Sequence, residues 1–200
     1  MARRGDVIVN PAMGSRIQFR TTAEASGGSL LEFDFFLKPG GVVAADHLHP
    51  HQQERFEVIS GVVRGHVDGH EHTLSAGGAS VVAPGVEHGW RNAGPAEAHL
   101  RVRFEPALRT EDLFETVFAL GAAGRTDARG VPVLPLRLAM LAAFPDEVVP
   151  AGMPRLAHRI VVRLLAGAGR RLRARWPRST AGRTGRTLSS LRQRRGSARN

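Results

Sequence analysis

Between Leu31 and Phe104, apolar and polar residues exchange places every second position in one short run after another, and turn-forming residues separate the runs. Leu31, Phe33, Phe35 and Leu37 alternate with Glu32 and Asp34 before Pro39-Gly40-Gly41. Phe56 to Val63 reads as a second strand. Arg64-Gly65-His66-Val67 and His72-Thr73-Leu74 flank Asp68-Gly69, a strong two-residue hairpin signal. Val81 and Val82 lead into Pro84-Gly85, and Leu100, Val102 and Phe104 alternate with Arg101 and Arg103. A period of two puts one face of each strand into a core. Strands this short, turned this often, bury those faces against one another in an all-β sandwich or barrel.

The same stretch carries a cluster of metal-ligand residue types. His47, His49 and Glu54 lie between Gly41 and Gly61, and His88 follows in a second glycine-bounded segment that begins at Gly77 and includes Asn92. In extended chain His47 and His49 share a face, about 7 Å apart, so both imidazoles can meet one ion. Glu54 has the opposite parity and joins them only if the chain turns, which Pro50 and the polar run His51-Gln52-Gln53 favour. Beyond the turn Glu54, Phe56 and Val58 share one face, so the carboxylate points inward. Imidazole with carboxylate suits one divalent transition ion, Fe, Mn, Co, Ni, Cu or Zn, better than Ca or Mg. Taking His49 and His51 as the pair would spoil the spacing to Glu54, so His51 is expected at the surface of the site. His66, His70 and His72 surround a hairpin turn and read as solvated, Trp90 as packing, and Asn92 as a turn-fixing residue.

These segments have the form G-x5-H-x-H-x4-E-x6-G and G-x5-A-x-G-x2-H-x3-N. They resemble the two motifs of the cupin superfamily, with Ala83 where a proline usually stands. The resemblance covers roughly residues 27–106. It implies a mainly β fold, a double-stranded β-helix or jelly-roll barrel followed by C-terminal α-helices, with one metal held by His47, His49, Glu54 and His88. It also implies dioxygenase, isomerase, epimerase or decarboxylase chemistry, alongside members with no catalytic role.

Past the barrel the period lengthens. Thr110 is placed to cap a helix with Glu111 and Asp112 in its first turn and Leu113, Phe114, Val117, Phe118 and Leu120 on one side. A second helix is expected over Leu136 to Phe144. A third starts at Pro154, with Leu156, Ile160, Leu164, Val161 and Leu165 beside Arg155, Arg159 and Arg163. The expected organisation is an N-terminal segment with a first strand (1–26), the barrel (27–106), a helical extension (107–150), a basic amphipathic helix (151–176) and a disordered arginine-rich tail (177–200). The segment from Leu113 to Val148 is similar to the helical extension of some bacterial single-domain cupins.

Charge divides the chain at the same place. Residues 1–150 hold 14 basic and 18 acidic side chains, a net of −4, whereas residues 151–200 hold 14 arginines and no acid. The basic helix is therefore expected either to dock its apolar face on the barrel, the commoner arrangement, or to meet an anionic membrane surface. Nucleic acid is disfavoured as a partner because the basic tail has no aromatic residue beyond Trp176. With no cysteine there is neither disulfide nor thiolate chemistry. The short apolar run near the N-terminus is too brief for a secretory signal, so a cytoplasmic protein is expected, peripheral to the membrane if the basic helix tethers it. Barrel edge strands favour a homodimer. The leading functional expectation is a metal-dependent oxygenase or isomerase acting on a small organic molecule. The alternative is a non-catalytic small-molecule binding or sensory protein tethered through its basic C-terminus.

Overall fold

The computed structural model describes residues 2–127, 129–134 and 136–173. In chain order its elements are β1 (Val7–Asn10), β2 (Ser15–Thr21), β3 (Leu31–Leu37), β4 (His47–Leu48), β5 (Gln53–Ser60), β6 (Val62–Val67) and β7 (His70–Ser75). There follow β8 (Ala79–Val82), β9 (His88–Asn92), β10 (Ala98–Glu105), α1 (Thr110–Ala122), α2 (Leu136–Ala143), β11 (Val149–Pro150) and α3 (Arg155–Arg173). The strands form a six-stranded sheet, β1-β2-β3-β10-β5-β8, and a five-stranded sheet, β11-β4-β9-β6-β7. Every pairing is antiparallel. The alternating runs thus make the expected mainly β jelly roll, with helices after it.

The alternation is spent on the space between the sheets. Phe33 meets Phe19, Phe35, Phe104 and Phe114 at ring-centroid separations of 5.0–6.2 Å, mostly edge to face. Phe114 comes from α1, so the helical extension supplies part of the barrel's own core. On β3, Asp34 is the exception to apolar burial. It sits beneath Arg20, Arg101 and His99, whose hydrogen bonds and charge outweigh the cost of burial and hold its carboxyl below the ordinary aspartate range.

The Asp68-Gly69 turn forms with φ of 51° and 76°, the left-handed pair that a tight hairpin between β6 and β7 requires. The strand expected from Phe56 to Val63 does not run through. It breaks at Gly61 (φ 88°), where the chain leaves one sheet for the other. A Cβ there would lie 2.8 Å from the Ala98 Cα. The sequence records this corner as a change of parity: Phe56 and Val58 are buried on even positions and Val63 on an odd one.

Two helical expectations need correction. Thr110 is not the cap of α1; Arg109 occupies that position without a side-chain capping bond. The Thr110 hydroxyl instead exchanges hydrogen bonds with the buried Gln52 amide, at 2.8 and 3.0 Å. The same Gln52 Nε2 donates to the carbonyls of Pro106 and Ala107, so a buried amide has drawn the threonine away from the helix terminus. In α3, Leu156, Ile160 and Leu164 are 69%, 47% and 77% exposed, so this side of the stripe is not docked on the barrel, while Val161 and Leu165 are partly buried. The helix packs against α2 and buries His158 instead. The expected tail at 177–200, and Trp176 at the end of the basic helix, lie outside the described residues.

Candidate metal centre

His47 stands on β4 and His88 on β9, directly opposite one another in register. His49 lies just past β4, and Glu54 reaches in from β5 on the facing sheet. The turn at Pro50 thus does what parity demanded, carrying the carboxylate across to the imidazoles. One donor atom from each of the four residues falls within 4.8 Å of the others. Among the described residues this is the one such group, and the hairpin histidines His66, His70 and His72 form none.

Each imidazole is oriented through its outer nitrogen. Nδ1 of His47 donates to the Ala45 carbonyl at 2.8 Å, that of His49 to the Glu147 carbonyl at 2.5 Å, and that of His88 to the Val86 carbonyl at 3.1 Å. A carbonyl oxygen can only accept, so each Nδ1 carries hydrogen and each Nε2 is left to face the centre, the arrangement that fixes a metal-binding tautomer. The Nε2 atoms of His47 and His49 then approach to 3.0 Å. Two lone pairs at that separation repel unless a cation lies between them. Glu54 Oε2 sits 2.7 Å from His88 Nε2 and 3.2 Å from His49 Nε2, supplying the negative charge.

Proton affinities follow from the same crowding. Burial, reinforced by the neighbouring His49 and His88, pushes His47 well below the ordinary histidine range. Glu54 is almost fully enclosed, yet the facing imidazoles overcome that burial and lower its carboxyl to about 2. Burial also opposes charge on His88, but the bond to Glu54 wins and raises it. Without metal, one or more protons on this cluster supply the positive charge. A divalent ion meets the same requirement with all four donors at once, so the residues fit one.

Packing closes the site on one side and opens it on another. Phe104 stands edge-on to His49 at 5.0 Å, and Phe56 lies 6.2 Å from the His88 ring. His47 and His49 line a cavity of about 130 Å³ whose remaining wall comes largely from α1, α2 and the segments beside them. His51 is exposed and sits 3.7 Å from the Asp146 carboxylate. Trp90 is buried against Phe56. Asn92 binds the Leu37 and Ala96 carbonyls and accepts from the Gly94 amide, fixing its turn.

The sequence reading missed the outer partners. Backbone carbonyls carry no side-chain signature, and Glu147 is 98 residues from His49. Its segment reaches the site because β11 pairs with β4, placing Val149 opposite Leu48 and Pro150 opposite His47. The nearest hint was Phe144-Pro145-Asp146-Glu147-Val148, legible as the end of the helical extension but not as a support for a ligand.

Residues 33–102 match the family described as Cupin domain. Similar solved structures include a sugar phosphate isomerase from a cupin superfamily of Silicibacter pomeroyi, 25% identical, covering 48% of this chain and 62% of that one at a TM-score of 0.42. A conserved protein with a double-stranded β-helix domain from Klebsiella pneumoniae is 25% identical, covering 54% and 84% at 0.41. A predicted oxalate decarboxylase from Thermotoga maritima is 18% identical, covering 53% and 98% at 0.45. No curated protein matches the chain.

Proposed function

The chain contains a cupin domain at residues 33–102, and from the cluster inside it we propose a mononuclear metal enzyme acting on a small organic molecule, of oxygenase or isomerase type. The observation that carries the proposal is the gathering of three Nε2 atoms and one buried carboxylate oxygen within 4.8 Å of one another, each imidazole anchored by a carbonyl behind it. A bound Fe, Mn, Co, Ni, Cu or Zn ion would supply Lewis acidity or redox capacity to a substrate oxygen. His47, His49, Glu54 and His88 would hold it. The Ala45, Glu147 and Val86 carbonyls keep the imidazoles in one tautomer, and Glu54, lowered to about 2, stays ionised at neutral pH. Phe56 and Phe104 keep water from the rear of the centre, while the cavity beside His47 and His49 leaves the approach open. Four protein donors leave one or two positions for substrate on an ion that takes five or six ligands.

Elemental analysis of protein purified without chelator or affinity-tag metal tests this directly. About one equivalent of a divalent transition ion is expected in the wild type, with loss in both His47→Ala and His88→Ala. Folded wild type that stays empty after metal reloading would overturn it.

A second reading is favoured by α3: a non-catalytic binding or sensory protein held at an anionic membrane surface. Leu156, Ile160 and Leu164 fall at i, i+4 and i+8 and face outward, with Arg159 and Arg163 exposed on the same helix. No helix among the described residues is long and apolar enough to cross a membrane, so the contact would be interfacial. Co-sedimentation with phosphatidylserine vesicles at low salt, lost in a full-length chain carrying Leu156→Ser, Ile160→Ser and Leu164→Ser, supports the tether; equal sedimentation of both proteins removes it. Turnover of a substrate, with oxygen uptake for an oxygenase, separates the enzyme from the binder.

A further inference from the structure

The cavity beside the centre has a chemistry of its own. Met13, Leu113, Val117, Met140, Leu141 and Val148 line it together with His47 and His49. A sugar or other polyol placed there would bury hydroxyls against side chains that cannot bond them, each at a cost of about 1–3 kcal/mol. Its volume of about 130 Å³ is close to that of apolar cavities that accept a single aromatic ring. The pocket therefore admits a ring or a short branched hydrocarbon and disfavours polyols of the same size, whose hydroxyls would face mainly apolar walls.

Charge in the lining is one-sided. Arg129 and Arg137 both border the cavity, and among the described residues Asp46 is the only carboxylate that does. Asp46 is drawn off toward His66, with its carboxylate 3.9 Å from the imidazole, and is 47% exposed. Arg137, partly buried on α2, has no ion-pair or hydrogen-bond partner for its guanidinium among the described residues. A half-buried, unpaired guanidinium at the rim of an apolar pocket is a receptor for a carboxylate, which it can grip with two parallel N–H donors.

We propose that the helical extension selects the substrate of this centre as a small, mainly hydrocarbon monocarboxylate, whose body fills the α1–α2 cavity and whose carboxylate meets Arg137. The inference rests on the metal reading only for the side from which substrate approaches. Arg137 touches the ligand and sets specificity; the pocket walls set size. Substitutions there alter which molecule is held without altering the four metal ligands.

Calorimetric titration of the full-length, zinc-loaded protein with benzoate, benzyl alcohol and glucose tests the proposal, with zinc content measured on every sample. Benzoate is expected to bind about tenfold or more tightly than benzyl alcohol, the margin of a charge-assisted contact, and glucose is expected not to bind. Arg137→Met should erase the preference while retaining zinc. Val117→Trp should weaken both aromatic ligands by filling the cavity. Equal affinity for benzoate and benzyl alcohol, a preference for glucose, or a benzoate preference that survives in Arg137→Met would overturn the proposal. Retained zinc without benzoate selectivity sinks this inference and leaves the metal reading standing; selective benzoate binding by protein that holds no zinc does the reverse.

Discussion

Strand β3 and helix α3 are both written with a regular apolar stripe, yet the molecule treats the two stripes in opposite ways. Leu31, Phe33, Phe35 and Leu37 are sealed between the sheets and under α1, whereas Leu156, Ile160 and Leu164 stand in the open. Even a charged member of β3, Asp34, is enclosed and matched by two guanidiniums and an imidazole, while the chain from 151 onward has 14 arginines and no acid to match them. The barrel is thus stabilised from within. Helix α3, with one side on α2 and another bare, has binding capacity left for something outside the described fold.

The largest effect that could break this contrast is at the centre. His88→Ala should empty the site of metal and strand the Glu54 carboxylate, costing about 3–5 kcal/mol of stability; elemental analysis and urea melts read both, and retained metal would dissociate the barrel's polar heart from its function. Phe33→Ala comes next, at about 3–5 kcal/mol for a ring contacting four others. A loss in urea stability below about 1 kcal/mol would mean the core repacks freely.

Asp34→Asn should cost about 1–3 kcal/mol, discounted because Arg20, Arg101 and His99 retain partial access to water. It also carries a pH signature. Because the folded carboxyl lies below its ordinary value of 3.8, its contribution is present above that value and is lost as pH falls through the lowered one. Urea midpoints of wild type and Asp34→Asn should therefore converge on acidification below about pH 4; a constant gap would assign the residue a purely steric role.

The smallest effect sharpens the contrast most. Leu164→Ala should change stability by no more than about 0.5 kcal/mol, yet weaken partition onto anionic vesicles by roughly tenfold if that side chain enters the interface. A stability loss on the scale of Phe33→Ala would show instead that α3 is buried in solution.

These two regions also differ in how far they could be read. Strand periodicity, the Asp68-Gly69 turn and the shared face of His47 and His49 depend on neighbours in sequence, and the alternation along Glu54, Phe56 and Val58 gave the inward direction of the carboxylate. Burial of the α3 stripe depends on what lies opposite, which periodicity does not encode, so docking was expected and exposure found. Thr110 was misread for a similar reason: its claim on a helix terminus is local, whereas Gln52 competes for it from 58 residues away.

The bond from His49 to the Glu147 carbonyl also sets an order in time. During synthesis all four donors are available once residue 88 has emerged, but residue 147 follows 59 positions later, an interval of ~3–12 s at ordinary elongation rates. Until β11 docks, the His49 ring is free to turn and either nitrogen can face the centre. The four donors can therefore gather before the ring that β11 orients is fixed, and the last few residues before α3 complete a cluster whose members were all made long before them.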